Sequence, residues 1–355
     1  MKNVFKPGMI GNLKINNRLV LPPMVTFGFA DEGGYVSERN VEHYSKIAKN
    51  GIGLIIVEAT CIIPEGRLDP RQLGIWDDSF IEGLSKIAKA VHDVSGKVFI
   101  QLHHAGIKAK KQITDMPLTS SDYDDGRMLG REMSKDEINK TIEQFKLAAV
   151  RAQKAGFDGV EIHGAHGYLL TQFFNTKVNK RQDEYGGSFE NRNRLATEIY
   201  EAVRNECGHD FVIGIRMGSN DDNLEESIKR AKYFENLGYD YLHISTGFDV
   251  TPSVEDVPED FPCNWIVYSA VKIKENIDLP VIGVNMIKKE KQIEYLIDNG
   301  LLDYVALGRA QLADYKFTEH MKNGEDILYC IDCRPCKWWR DGRECPRQVQ
   351  ANASV

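Results

Sequence analysis

Short β-rich runs and longer amphipathic runs alternate along the whole of this chain. The predicted strands cover residues 18–24, 54–58, 98–102, 159–163, 212–217, 241–245, 280–284 and 304–307. The predicted helices cover residues 37–50, 77–94, 135–155, 189–207, 224–237, 264–276, 288–299 and, more weakly, 313–321. Consecutive βα units require a parallel sheet, and their number favours closure into an α/β fold of the (β/α)8 TIM-barrel type. An open doubly wound sheet is disfavoured because no Gly-x-Gly-x-x-Gly follows the first strand.

Several helix ends carry boundary signals that support this division. Ser134 precedes the third predicted helix and Glu137 lies three residues further on, which is the pattern of a capping box. Four helices are followed by a glycine, the residue that best adopts a left-handed conformation after a helix: Gly51, Gly156, Gly238 and Gly300.

Two segments do not fit the repeat. Residues 103–133 form a long polar connection after the third strand, and loops of that length are usually functional lids. Residues 326–355 contain four of the seven cysteines. We therefore expect a barrel over residues 1–325 and a small cysteine-rich module over residues 326–355.

Composition excludes several function classes. The 355 residues carry a formal net charge of −7, which argues against nucleic-acid binding because phosphate recognition needs concentrated Lys and Arg. We find no apolar run near the roughly 20 residues of a membrane span, and the first residues do not resemble a signal peptide. The scattered thiols suit a reducing compartment. We expect a cytoplasmic protein, with homo-oligomerisation left open.

Residues 161–168 read EIHGAHGY and directly follow an apolar run. In a barrel, active-site residues lie at the carboxyl ends of the strands, which is where His163, His166 and Tyr168 are expected. Two imidazoles can hold a carbonyl oxygen, and a phenol can deliver a proton. Adding hydrogen across a polarised double bond also needs a hydride, which no side chain donates, so the pattern predicts a redox cofactor.

The other strand ends suggest where that cofactor lies. Glycines followed by helices at strands seven and eight, Gly283 and Gly308, are typical of the barrel phosphate site, which Arg309 would complete as a bidentate partner. Gln101 and Arg216, at the ends of strands three and five, suit the polar edge of a heterocycle.

With these residues in view, the chain resembles the Old Yellow Enzyme family of flavin-dependent ene-reductases. The matching segments are residues 17–24, 53–60, 101–106, 163–170, 183–192 and 308–309. The resemblance extends over roughly residues 4–325. It implies FMN as the cofactor, NADH or NADPH as the reductant, and a small unsaturated carbonyl compound as the substrate.

The resemblance also implies roles for particular residues. His163 and His166 would grip the activating oxygen of the substrate, and Tyr168 would be the proton donor. The residues implied to hold FMN lie at the strand ends: Pro23, Met24, Val25, Ala59, Gln101 and Arg216, with the phosphate at Gly283, Asn285, Gly308 and Arg309.

Two positions depart from the family pattern. Val25 follows the Pro-Pro-Met segment where many relatives carry a Thr or Cys that tunes the flavin, and Thr26 comes one residue later. Asn285 stands where many relatives have Gly, so we expect its contact with the cofactor to be made by the main chain.

The cysteines near the C-terminus are Cys330, Cys333, Cys336 and Cys345. Four thiolates suit a metal ion or an iron–sulfur cluster. The 2,4-dienoyl-CoA reductase and trimethylamine dehydrogenase branch is similar to this chain and has a [4Fe–4S] motif here, with somewhat longer spacing. That branch continues into a second nucleotide-binding half, whereas this sequence stops at Val355. A [4Fe–4S] cluster, zinc and unliganded thiols all stay open; a cluster would allow an electron-donating protein partner.

Three other functions compete with the ene-reductase. A flavin-dependent amine dehydrogenase or demethylase would use the same barrel to oxidise its substrate. Its site would require aromatic rings around the bound cation. A metal-dependent hydrolase could use His163 and His166 as ligands. An electron-transfer flavoprotein subunit would bind FMN, receive electrons through an iron–sulfur cluster and turn over no enone.

Overall fold

Eight parallel strands close into a barrel, as the sequence predicts. The structure is a computed structural model that describes residues 2–339 and 344–353. In chain order its strands are β1 (Gly8–Ile10), β2 (Leu13–Ile15), β3 (Leu19–Leu21), β4 (Leu54–Cys61), β5 (Lys97–His103), β6 (Leu118–Thr119), β7 (Tyr123–Asp124), β8 (Leu129–Glu132), β9 (Gly159–Gly164), β10 (Val212–Gly218), β11 (Tyr241–Ser245), β12 (Val281–Val284) and β13 (Tyr304–Ala306). The barrel runs β3-β4-β5-β9-β10-β11-β12-β13 and closes because β13 pairs with β3.

Helices connect these strands and form the outer layer. They are α1 (Glu38–Ala48), α2 (Ile81–His92), α3 (Lys135–Lys154), α4 (Leu169–Phe174), α5 (Phe189–Cys207), α6 (Leu224–Leu237), α7 (Trp265–Lys274), α8 (Glu290–Asp298), α9 (Arg309–Ala313), α10 (Phe317–Asn323) and α11 (Pro346–Ala353). Short 3-10 helices cover Asn3–Phe5, Pro64–Gly66, Asp78–Phe80, Gly106–Lys108 and Lys337–Trp339. The predicted capping box of α3 is present, with Ser134 and Glu137 bonded reciprocally. No helix in the described ranges is long and apolar enough to cross a membrane.

The barrel interior is apolar at its amino-terminal end. The side chains that fill it come from alternate strand positions and from the β1–β2 hairpin beneath: Ile10, Ile15, Val20, Leu54, Ile56, Phe99, Val212, Tyr241, Ile282, Val284, Tyr304 and Ala306. The intervening residues of each strand face the helices and join the larger outer core. A floor that is packed with side chains leaves only the opposite rim of the barrel open for a site.

The long connection after β5 differs from the sequence prediction. Residues 103–133 were expected to be a polar loop, but they contain a small sheet in the order β6-β8-β7. Arg181 anchors this segment by donating to the carbonyls of Ser120 (2.9 Å) and Met133 (2.7 Å). Arg181 is itself paired with Asp183 of the segment 183–192. These contacts tie both ends of the small sheet to the segment that follows α4.

The cysteine-bearing tail packs directly on the barrel. Trp338 is buried and lies against the rings of Phe29 and His43, with ring centroids 6.1 and 5.7 Å away. Gln348, on a helix that the sequence analysis did not predict, donates to the carbonyls of Leu312 and Ala313. A boundary between barrel and tail near residue 325 stays a prediction.

Candidate active site

Four neighbouring strands change from apolar to polar at the open rim. Their inward-facing residues in this layer include Gln101 on β5, Glu161 and His163 on β9, Arg216 on β10, and His243 on β11. Strand register brings them to similar heights, since Gln101 pairs with Glu161, and Arg216 pairs with both His163 and His243. All five are buried. Burying so many polar groups is costly unless they serve a ligand or satisfy each other.

A cavity of about 320 Å³ opens above this layer. Its lining brings together residues from five strand ends and from the loops that follow them: Pro23, Met24, Val25, Phe27, Ala59, Leu68, Gln101, His163, His166, Tyr168 and Arg216. The three predicted catalytic residues and six of the predicted cofactor residues are therefore brought to one cavity. Phe27 and Leu68 are additional lining residues.

His163 presents a neutral imidazole to this cavity. Burial drives the pKa of His163 well below its ordinary value, and the neighbouring His103 adds to the effect. Its Nδ1 accepts the backbone N–H of Ala165 at 3.4 Å. A neutral ring whose Nδ1 accepts carries its proton on Nε2. Nε2–H is then a hydrogen-bond donor for a ligand oxygen.

His166 lies in a left-handed turn, with a φ of 62° followed by 71° at Gly167. Burial holds the pKa of His166 well below its ordinary value as well, and Arg216 adds to the effect. Its Nε2 lies 2.7 Å from the Oγ of Ser245. Its carbonyl accepts from Lys108 Nζ at 2.7 Å. These contacts hold a conformation that residues other than glycine seldom adopt.

Tyr168 borders the cavity immediately before α4. Its ring lies edge-on to His103 and His163, with centroids 4.5 and 4.9 Å away. Burial raises the pKa of Tyr168, although Arg216 opposes the shift. The phenol is therefore protonated at neutral pH and able to give up a proton to a substrate that becomes more basic during reaction.

Glu161 bonds to several buried polar side chains at the rim, and it was not among the site residues predicted from the sequence. Its carboxylate accepts from Gln101 Nε2 (2.7 Å) and the Tyr241 hydroxyl (3.1 Å), and lies 2.9 Å from His243 Nδ1. Burial favours a raised pKa for Glu161, but His243 and Arg216 outweigh it, so the pKa is lowered. An anion here orients Gln101 and offsets the charge of Arg216. Strand alternation could have revealed Glu161, since it shares a face with His163.

Several buried polar atoms at this rim lack partners within residues 2–339 and 344–353: Gln101 Oε1, Arg216 Nε, His243 Nε2 and both ring nitrogens of His103. Burial lowers the pKa of Arg216 to about 10, with Glu161 opposing, so it remains a cation at neutral pH. Native proteins rarely leave such atoms unpaired. An acceptor and a cationic donor that line one cavity suit the edge of a heterocycle that alternates C=O and N–H groups, as the flavin ring does.

A second cavity, of about 150 Å³, adjoins the first. The two share Pro23, Met24 and Arg216 among their lining residues. The second is also lined by Asn285, Gly308 and Arg309, as predicted for a phosphate site, and by Lys288, which was not predicted. It lies beyond the ends of β12 and β13, where barrels commonly bind phosphate.

The backbone of this second cavity is unusual. Asn285 and Met286 both have positive φ, 122° and 54°. The Asn285 side chain does not face a ligand freely, because its Oδ1 accepts from Asn264 Nδ2 at 2.7 Å. The main-chain contact expected at position 285 stays a prediction.

Gly283 is the one predicted cofactor residue that lines neither cavity. A Cβ at this position would lie 2.3 Å from Leu302 Cδ1. Gly283 therefore allows Leu302 to pack closely against the strand, and it lies outside the proposed cofactor site.

Val25 and Thr26 have different environments. Val25 lines the larger cavity. Thr26 is buried, and both its N–H and its hydroxyl donate to the carboxylate of Glu58. Because the Thr26 hydroxyl is committed to Glu58, it does not replace the polar side chain that relatives carry at position 25.

The four cysteines of the tail line one small cavity together with Trp338 and Arg309. No group of three or more His, Cys, Asp or Glu side chains in the described part of the chain is arranged to hold a metal ion. The two observations differ because lining a common cavity requires only proximity, whereas metal binding requires a converging ligand geometry. The cavity brings the thiols to one place, but metal binding stays a prediction.

Fold and site together define a (β/α)8 barrel with a cavity at its rim that is lined by buried polar side chains. The chain matches the NADH:flavin oxidoreductase / NADH oxidase family over residues 3–326 and belongs to that family. It is 39% identical over 345 residues to the NADH oxidase of Thermoanaerobacter brockii, with 93% of this chain and 52% of that protein covered. Membership confirms the predicted family, that of the NADH:flavin oxidoreductases.

Two solved structures show the same architecture. A complex of 2-naphthoyl-CoA reductase with 2-naphthoyl-CoA has 26% identity and a TM-score of 0.88, covering 97% of this chain and 56% of that one. The old yellow enzyme homologue from Zymomonas mobilis has 28% identity and a TM-score of 0.80, covering 95% of this chain and 96% of that one. This chain thus spans about half the length of the NADH oxidase and of the 2-naphthoyl-CoA reductase.

Proposed function

We propose that this protein is an FMN-dependent ene-reductase that reduces the activated C=C bond of an α,β-unsaturated carbonyl compound. The observation that carries the proposal is a single cavity bordered by His163, His166 and Tyr168 on one side and by Gln101 and Arg216 on the other. The histidines that would bind the substrate oxygen, the tyrosine that would donate the proton and the residues that would hold the flavin ring then all border the same cavity.

The residues present fit FMN. Gln101 and Arg216 would hold the polar edge of the ring, against Pro23, Met24 and Ala59. Contacts for the phosphate would come from the adjoining cavity: Asn285, Lys288, Gly308 and Arg309. When bound, FMN supplies the hydride that adds to the β-carbon of the substrate.

The two histidines bind and polarise the substrate carbonyl. As a neutral donor, His163 Nε2–H can hydrogen-bond the oxygen more strongly as negative charge develops on it. His166, held by Ser245 and Lys108, supplies the second contact. Preorganised donors of this kind are typically worth about 10²–10³ in rate each.

Tyr168 completes the addition by general acid catalysis. Its O–H bond breaks as a C–H bond forms at the α-carbon, and solvent then restores the phenol proton. The overall change is the gain of one hydride and one proton across the C=C bond. Proton transfer of this kind is typically worth about 10²–10⁴ in rate.

The charge around the cavity disfavours an amine substrate. Lys108 Nζ already lies 5.5 Å from the centroid of the Tyr168 ring. A cationic amine over that ring would meet the Lys108 ammonium as well as Arg216. A site for a cation would instead present an open aromatic face.

We further propose a [4Fe–4S] cluster held by Cys330, Cys333, Cys336 and Cys345, supported by their common cavity. Electrons would enter from NADH or NADPH or, by way of the cluster, from a protein partner. Cys333→Ser should abolish bound iron, and unchanged iron content in that variant would reject the cluster.

The first experiment is an anaerobic visible spectrum of protein purified with FMN supplied, followed by turnover of a panel of enones. Flavin bands with enone reduction support the ene-reductase, and additional broad absorption supports the cluster. Bound flavin without turnover of any enone, whatever the reductant, would point to an electron-transfer subunit. Protein that binds no flavin would refute the proposal.

A further inference from the structure

One carboxylate, that of Asp332, connects the segment bearing Cys330 and Cys333 to the smaller cavity, where the phosphate of FMN is proposed to bind. Asp332 lies between Cys330 and Cys333, and it forms ion pairs with Lys288 Nζ and with Arg309, whose Nη1 lies 3.4 Å from Asp332 Oδ1. Lys288 and Arg309 both line the 150 Å³ cavity, whereas Asp332 does not. The carboxylate therefore contacts the charged ends of both side chains without itself lining the cavity.

We propose that Asp332 is a positioning residue for the phosphate of FMN. It orients Lys288 and Arg309 towards the cavity. The segment that bears Cys330 and Cys333 is thereby a structural part of the flavin site. This inference rests on the proposed function, because it assumes that a phosphate-bearing flavin occupies the two adjoining cavities.

The local conformations support an orienting role. Asp332 has a φ of 53°, a left-handed conformation that Asp tolerates better than most residues. On the cavity side, Arg309 also contacts the sulfur of Met286, a residue that has positive φ as well. Arg309 is thus held between Asp332 and Met286, and Lys288 is held by Asp332. Long side chains fixed in this way lose less conformational entropy when a ligand binds.

A carboxylate near an anion site also repels the anion, so the two effects of Asp332 oppose each other. Arg216, Lys288 and Arg309 line the cavity, and none of the described lining residues is acidic. The cavity is therefore cationic with or without Asp332. The negative charge of Asp332 is already offset by its ion pairs with Lys288 and Arg309, which reduces its repulsion of a bound anion, whereas no other contact in the described part of the chain replaces the lost orientation of Lys288. We therefore expect orientation to dominate.

The test compares two flavins that differ only in the phosphate. Dissociation constants of FMN and riboflavin are measured by fluorescence quenching on flavin-depleted protein. Asp332→Asn should weaken FMN binding about 3- to 10-fold, the size expected for two partly exposed ion pairs. Riboflavin binding should not change, because riboflavin makes no phosphate contact. Asp93→Asn, which removes an exposed pair with Lys89, is the matched control and should alter neither constant.

A second variant shows whether Asp332 acts through the cations. Lys288→Met should weaken FMN binding, and adding Asp332→Asn to it should cost less than Asp332→Asn costs alone. Unchanged or tighter FMN binding in Asp332→Asn would overturn the proposal, as would equal weakening of both flavins, which indicates general damage. Failure of the unmodified protein to bind either flavin would instead count against the proposed function.

Discussion

The proposed flavin site spans two adjoining cavities, and its two ends are built in different ways. At the end near Tyr168, the functional groups come from barrel strands or directly follow them, and they are buried and largely neutral. At the other end, Lys288 and Arg309 are charged, partly exposed, and held by contacts with the tail. The first end is suited to chemistry, which needs fixed geometry, and the second to retention of a charged group.

Burial explains why the two ends behave differently. Desolvation keeps His163 and His166 uncharged and Tyr168 protonated. Neutral donors in a water-poor site respond strongly to charge that develops during reaction. Ion pairs at a partly exposed site respond weakly, because solvent and salt screen them. Substitutions at the chemical end should therefore reduce rate, and those at the phosphate end should reduce affinity.

The largest effect is expected for Tyr168→Phe. Removing the proton donor should slow substrate reduction by about 10²–10⁴-fold while leaving reduction of the flavin nearly normal. Rapid-mixing measurements of the two half-reactions separate these rates. Tyr35→Phe is the control, because Tyr35 stacks on Phe80 away from the cavity and is 41% exposed. Equal losses in both half-reactions of Tyr168→Phe would contradict the proton-donor role.

A somewhat smaller effect is expected for His163→Asn. Loss of the Nε2–H donor should lower the rate of substrate reduction by about 10²–10³-fold. Because the pKa values of both site histidines are depressed and that of Tyr168 is raised, these groups should not titrate between about pH 6 and 9. The unmodified protein should then show a flat pH–rate profile there.

His209→Asn, at an exposed position, is the matched control for this substitution and should leave the rate unchanged. A bell-shaped profile centred near pH 7 would show instead that a charged imidazole takes part. In that case the functional groups at both ends of the site would be charged, and the two ends would differ less than their burial suggests.

The sequence located the residues that line the larger cavity more completely than those around the smaller one. His163 and Tyr168 could be placed because strand alternation and the barrel rule locate strand ends without knowledge of packing. Lys288 and Asp332 could not be placed, because their contact joins positions 44 residues apart through long side chains. Strand alternation places Glu161 on the same face as His163, but its partners Gln101 and His243 come from β5 and β11, which only the closed barrel brings near β9.

Gly283→Ala tests whether the phosphate end depends on a glycine, as predicted from the sequence. The new methyl group would lie 2.3 Å from Leu302, so we expect overpacking to lower the free energy of unfolding by about 1–3 kcal/mol. FMN affinity of the folded protein should not change. Denaturant unfolding and flavin titration measure the two quantities. Gly126→Ala, at an exposed turn with a φ of 78°, is a comparison in which strain arises from backbone conformation alone. A large loss of FMN affinity in Gly283→Ala would return Gly283 to the cofactor site.

The last prediction concerns Glu58, which holds the backbone of Thr26 next to the cavity. Burial raises the pKa of Glu58 to about 7, with the hydrogen bonds from Thr26 opposing the shift. The folded state therefore binds more protons than the unfolded state between about pH 4.5 and 7, so the free energy of unfolding should fall as pH rises through that window and level off above it. One such group contributes a slope of at most about 1.4 kcal/mol per pH unit.

Glu58→Gln should remove this contribution, whereas Glu82→Gln at an exposed position should keep it. An unchanged slope in Glu58→Gln would mean that the carboxylate next to Thr26 stays ionised, and the chemical end of the cavity would then contain a second buried anion besides Glu161.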